Sequence, residues 1–145
     1  MASWHEIEQQ APAFAARVRA RFDAGTNKVL ATVRRDGSPR VSGSEAAFRD
    51  GELTFGMMPD SMKLLDVRRD PRVALHCPTL EPPANAPREW EGDAKLSGRA
   101  VEGPEPGAFR LEITEAVLIY VGDPPDHLVI ESWHEGRGHH RQERR

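Results

Sequence analysis

The sequence predicts a mainly β fold with short helices, an α+β arrangement in which six or seven mostly antiparallel strands make a small barrel, closed or split. Three observations carry this expectation. A two-residue hydrophobic period starts at Lys28 and recurs as far as Trp133. Turn signals such as Asp36-Gly37 and Arg49-Asp50-Gly51 separate neighbouring runs at hairpin distance. Only two stretches carry helical spacing. Strands joined by such short turns form a meander or Greek key, not a doubly wound parallel sheet, and closure removes exposed edges.

The first helical stretch, within residues 1–25, opens on a Ser3/Glu6 capping box, in which each side chain satisfies the other residue's backbone N–H. Trp4, Ile7, Ala11, Phe14, Val18 and Phe22 then fall on one stripe. Pro12 has no N–H to donate, so the spacing predicts a kink or two short helices, with Gly25 as the stop. Strands are expected from Lys28 to Val33, Pro39 to Phe48 and Glu52 to Met57. The second helix starts at Ser61 as N-cap, turns Leu64, Leu65 and Val67 inward, and ends before Pro71. Strands follow at Arg72–Cys77, Asp93–Glu102, Phe109–Val121 and Asp126–Trp133. Residues 78–92, rich in proline, make a long loop suited to a flap. Residues 134–145 read as a polar, extended tail. The whole of 1–145 is expected to be one domain.

Composition narrows the function classes. A net charge of −3 gives no global attraction for nucleic acid or an anionic membrane, so an anion site has to be local. Cys77 is the only cysteine, which excludes an intrachain disulfide and fits a cytoplasmic compartment. No stretch approaches the length of a membrane span, and the N-terminus has no signal-peptide pattern. No nucleophile elbow, P-loop or dinucleotide fingerprint occurs. An enzyme built on this chain therefore needs a cofactor for its hard chemistry.

The candidate binding residues gather around the second helix. Ser61 at the N-cap leaves the first N–H groups outward, and Lys63 sits in the first turn, where a cation opposes the helix dipole unless an anion joins it. A capped helix with a solvated lysine fits the same letters. Arg40 on the second strand offers a fork to the same anion or, equally, pairs with Asp36 or Glu52 at the rim. His134, His139 and His140 lack a regular frame for a metal, and none is assigned. Cys77 beside His76 on a strand points to the opposite face, which disfavours an activated pair. No side chain is assigned proton transfer.

Three segments taken together resemble the pyridoxamine 5′-phosphate oxidase-like family of split-barrel, FMN-binding proteins: KVLATVRRDGSPRV, DSMKLLDVRRDPRVAL and LSGRAVE. The resemblance runs from about Lys28 to Val101. It implies a cytoplasmic homodimer with cofactor sites at the interface and an oxidoreductase activity on a small molecule. It also implies a flavin phosphate held by Arg40, Ser61 and Lys63, with the ring along Val41, Ser42, Gly43, Gly56 and Met57. A fainter likeness in the tail nominates Trp133 and Arg144. Met62 stands where the vitamin oxidases carry an arginine, so the resemblance implies a relative of those enzymes with another substrate. Arginine-rich members of the family use a deazaflavin coenzyme, for whose longer anionic tail Arg68, Arg69 and Arg72 are candidates. Others bind haem or a flavin without catalysis.

Overall fold

A computed structural model describes residues 1–145. Two helices, α1 (Trp4–Gln10) and α2 (Pro12–Phe22), precede the strands β1 (Asn27–Val33), β2 (Pro39–Arg49) and β3 (Glu52–Gly56). Helix α3 (Met62–Arg69) leads into β4 (Arg72–His76), and β5 (Asp93–Glu102), β6 (Ala108–Val121), β7 (Leu128–His134) and β8 (Gly138–Arg144) complete the chain. The strands form one antiparallel sheet ordered β3-β2-β1-β4-β5-β6-β7-β8, and an additional pairing of β3 with β6 closes the first six into a barrel. The expected antiparallel barrel is present, with β7 and β8 continuing beyond the closure.

The interior follows from alternation. Leu30, Leu53, Leu75, Leu96, Leu111 and Leu118 are all fully buried and come from five strands, the last two both from β6. Burying such a side chain is worth about 1.5–3 kcal/mol. The helices cover one flank: Trp4 and Phe22 pack on Phe48 with ring centroids 4.7 and 6.0 Å away. The Ser3–Glu6 capping box forms, and the chain breaks at Ala11 into two helices, as Pro12 requires. Gly98 marks a shift of register between β5 and β6, and a Cβ there would lie 1.9 Å from the Glu112 carbonyl oxygen.

Two expectations change. The tail is a strand: β8 pairs with β7 along its length and ends the sheet on a charged edge, His139 to Arg144, that discourages further pairing. In α3, Leu64 and Val67 are buried as expected, but Leu65 is 49% exposed and Asp66 takes the inward position at 1%. A helix advances 100° per residue, so Asp66 shares the buried side with Val67 while Leu65 swings away. The 78–92 loop folds on itself, its Trp90 indole N–H donating to the Leu80 carbonyl at 2.9 Å. No helix is long and apolar enough to cross a membrane.

Candidate functional site

The site is built where β2 passes the start of α3. Ser61 adopts extended geometry as N-cap, and its hydroxyl oxygen accepts from the Leu64 N–H at 3.3 Å, leaving the hydroxyl hydrogen free to donate. The amides of Met62 and Lys63 have no carbonyl one turn back, so they face outward. Lys63 reaches across to β2 and donates to the Gly43 carbonyl at 2.8 Å. A cavity of about 330 Å³ is lined by Arg34, Arg40, Val41, Ser42, Ser61, Met62 and Lys63. Of the residues nominated by sequence, this one hollow gathers Arg40, Val41, Ser42, Ser61 and Lys63.

Arg40 does not pair with Asp36 or Glu52. Its Nε donates to Asp66 Oδ2 at 2.7 Å, and the same oxygen accepts from Thr32 Oγ1 at 2.7 Å. Arg69 donates to the other carboxylate oxygen at 3.3 Å and to the Val33 carbonyl at 2.7 Å. Burial alone would raise the Asp66 pKa, but the hydrogen bonds from Arg40, Thr32 and Arg69 outweigh it and hold the carboxyl below its ordinary value. Asp66 is thus a fixed anion that holds Arg40 by its Nε, and Arg40 also lines the cavity. Sequence reasoning missed Asp66, Thr32 and Arg34. The available signals were a threonine at an inward position of β1 and an acid between Leu65 and Val67.

From this cationic end the outer face of β2 leads to a second, apolar cavity of about 490 Å³, bordered by Ala46, Ala47, Thr54, Phe55, Gly56 and Phe109 among others. At about 3.3 Å per residue, Val41 and Ala47 lie roughly 20 Å apart along the strand. Gly43 lies between the two hollows. It is exposed, and a Cβ built on it would meet nothing within 4 Å. Glycine weakens a strand interior by roughly 0.5–1 kcal/mol, and here no contact within the chain requires it. Gly56 borders the apolar hollow, whereas Met57 is buried just beside it.

Trp133 and Arg144 lie elsewhere. Trp133 is 3% exposed and donates its indole N–H to Gln10 Oε1 at 2.8 Å, and Arg144 is exposed at the end of β8. Within one chain, neither borders the two hollows. The three histidines of the tail also separate: His134 meets Glu115 at 3.0 Å and His139 meets Glu131 at 2.8 Å. The basic residues put forward for a longer anionic tail are engaged on their own chain, Arg68 by Glu102 at 2.8 Å, Arg69 by Asp66 and Arg72 by Asp70 at 2.6 Å.

Comparison with known proteins bears on the fold. No protein-family model matches the chain, and no curated protein matches it. Among solved structures, it is similar to PhzG of Burkholderia lata in complex with tetrahydrophenazine-1-carboxylic acid, with a TM-score of 0.65 and 13% identity over 97% of this chain and 92% of that one. It is also similar to a pyridoxamine 5′-phosphate oxidase-related, FMN-binding protein of Nostoc punctiforme, with a TM-score of 0.62 and 11% identity over 100% and 98%. An F420 reductase aligns with a TM-score of 0.50 and 19% identity over 66% and 92%. The fold is therefore the split barrel found in FMN-binding proteins of the pyridoxamine 5′-phosphate oxidase-like type.

Proposed function

We propose that this split-barrel chain is an FMN-binding oxidoreductase acting on a small molecule, with two copies enclosing the cofactor. The observation that carries the reading is the meeting, at Gly43, of a cationic hollow and an open strand face. Arg34, Arg40, Ser61, Lys63 and the two free amides of α3 match the oxygens of a phosphate. The backbone of β2 around Gly43 then lies bare for a planar ring that ends over the apolar hollow at Gly56. These residues match a flavin mononucleotide in charge and in order along β2. Arg68, Arg69 and Arg72, the candidates for a longer anionic tail, have acidic partners as Arg40 does, but unlike Arg40 they do not line the cationic hollow.

When bound, the flavin supplies hydride or electron transfer. The chain's own residues anchor and orient it. Asp66 fixes the Arg40 fork, Ser61 both caps α3 and donates, and Lys63 joins the phosphate end to the strand that carries the ring. An exposed apolar row supports the second copy: Val41, Ala31 and Ala74 are aligned across β2, β1 and β4, with Val41 70% exposed.

Purified full-length chain decides the reading. Yellow protein carrying one equivalent of releasable FMN per chain is expected. Colourless protein that ignores FMN but binds an added deazaflavin coenzyme overturns it, as does a haem absorption band with no flavin.

A further inference from the structure

The opposite end of β4 holds a group of side chains that the flavin reading does not use. His76 is the last residue of the strand and Cys77 follows it, while Asp93 begins β5 across the ladder. Adjacent strand residues normally face apart, yet the strand ends here. One nitrogen of His76, the Cys77 sulfur and one oxygen of Asp93 all lie within 4.8 Å of one another.

Two features make this more than proximity. His76 Nδ1 is 2.7 Å from the Cys77 carbonyl oxygen, which can only accept, so Nδ1 carries the proton. In the neutral ring Nε2 then presents a lone pair, and it faces Asp93 Oδ2 at 3.9 Å, too far for a hydrogen bond. The second feature is that Asp93 Oδ1 is buried without a hydrogen-bond partner. A ring nitrogen of His76, an under-satisfied carboxylate and a fully buried sulfur that accepts from the Ala94 N–H at 3.3 Å thus lie together, and a carbonyl behind the imidazole is the support that metal-binding histidines use.

We propose that His76, Cys77 and Asp93 form a site for a thiophilic divalent metal ion of the zinc type, with a water as fourth ligand. Zinc bonds of about 2.0–2.3 Å put neighbouring ligand atoms of a tetrahedron about 3.3–3.8 Å apart, so small side-chain rotations close the site. A thiolate, a carboxylate and a neutral imidazole carry two negative charges, which a divalent ion balances. Arg21, the nearby cation, is held by Glu91 and by the Gly92 carbonyl at 2.8 Å. The metal takes Cys77 as the thiolate, and the thiol proton goes to solvent. Because Cys77 and Asp93 flank residues 78–92, the ion would staple the two ends of that loop.

The test is titration of the reduced, metal-free full-length chain with Co²⁺, followed by displacement with Zn²⁺. One equivalent of Co²⁺ is expected to give ligand-field bands of four-coordinate metal with a thiolate charge-transfer band, and Zn²⁺ to abolish them. Cys77→Ser should remove the charge-transfer band. His76→Gln and Asp93→Asn, at half-exposed positions that the core does not need, should each weaken Zn²⁺ binding by about 10–100-fold or more. The double variant His139→Gln/His140→Gln should bind as the parent does. Absence of saturable one-to-one binding overturns the site. So does binding that survives His76→Gln and Asp93→Asn but is lost in the tail variant, which would make it a surface-histidine effect.

Discussion

Asp66 is the residue on which the candidate site turns. A carboxylate 1% exposed with three donors around it is a clamp, and its removal leaves Arg40 and Thr32 without their partner. Asp66→Ala is expected to destabilise the fold by about 3–5 kcal/mol, read by denaturant unfolding, as for other broken buried pairs. The pH sign follows from its depressed pKa: the contribution is complete above the unfolded carboxyl value of 3.8 and is lost as pH falls through the lower folded value. Lys63 behaves differently, because its ammonium is on the surface of the fold and at the heart of the proposed site. Lys63→Ala should leave stability within about 0.5 kcal/mol and weaken FMN binding by about 1.5–3 kcal/mol, measured by fluorescence titration. Unchanged affinity would remove Lys63 from the site. Ser61 and Lys63 were legible in sequence because a cap and its first turn are local. The clamp was not: Thr32 and Arg40 stand 34 and 26 residues from Asp66, and only the packing of α3 on β1 and β2 joins them.

Elements were legible in proportion to how locally they are determined. Seven strands with inward leucines or other apolar residues announced themselves by period two, and Pro12 announced the break between α1 and α2. The eighth strand did not, since GHHRQER has no apolar alternation and is a strand only because β7 offers it an edge. The LSGRAVE segment shows the same division. Its glycine looked like a family marker, and its physical cause is the register shift where β5 passes within a Cβ's reach of Glu112. Gly98→Ala has backbone in its way, so a loss of about 1–3 kcal/mol or more is expected in thermal or denaturant unfolding. A loss under about 0.5 kcal/mol would show that the two strands can part there. Helix α3 is tied to β5 by Arg68 and Glu102, and the Arg68 hydrogen bond, with the Gly107 N–H, lowers the Glu102 pKa to about 2. The stabilisation it brings is full above the ordinary value of 4.5 and disappears as pH falls towards about 2. Glu102→Gln should therefore flatten the acid limb of the stability profile in that window, and an unaltered limb would assign the acid sensitivity to other carboxylates.

At the scale of the whole molecule, closure and exposure work against each other. Pairing β3 with β6 closes the barrel, but β3 pairs with β2 only over Ala46–Arg49, so Pro39–Glu45 has a strand partner on the β1 side alone. Beside that short edge, an apolar face remains open. Val29, Val41, Met62 and Leu65 are 43–70% exposed, and the small residues Ala31, Gly43 and Ala74 lie among the two valines on the outer side of β2, β1 and β4. Small residues on a sheet surface allow close approach, and an apolar patch beside a binding hollow marks an interaction surface. The cationic hollow borders this patch through Val41 and Met62, so covering the patch also walls in the proposed cofactor. Dimerisation and FMN binding should therefore be coupled. Leu65→Asp puts a charge on the face without touching the barrel interior or the lining of the hollow, because Leu65 is 49% exposed and stands outside that lining. Light scattering is expected to show the parent as a dimer and the variant as a folded monomer. FMN affinity should fall with it by tenfold or more, about 1.4 kcal/mol. A monomeric variant that keeps full FMN affinity would place the whole cofactor site within one chain, and a variant that remains dimeric would move the interface to another face.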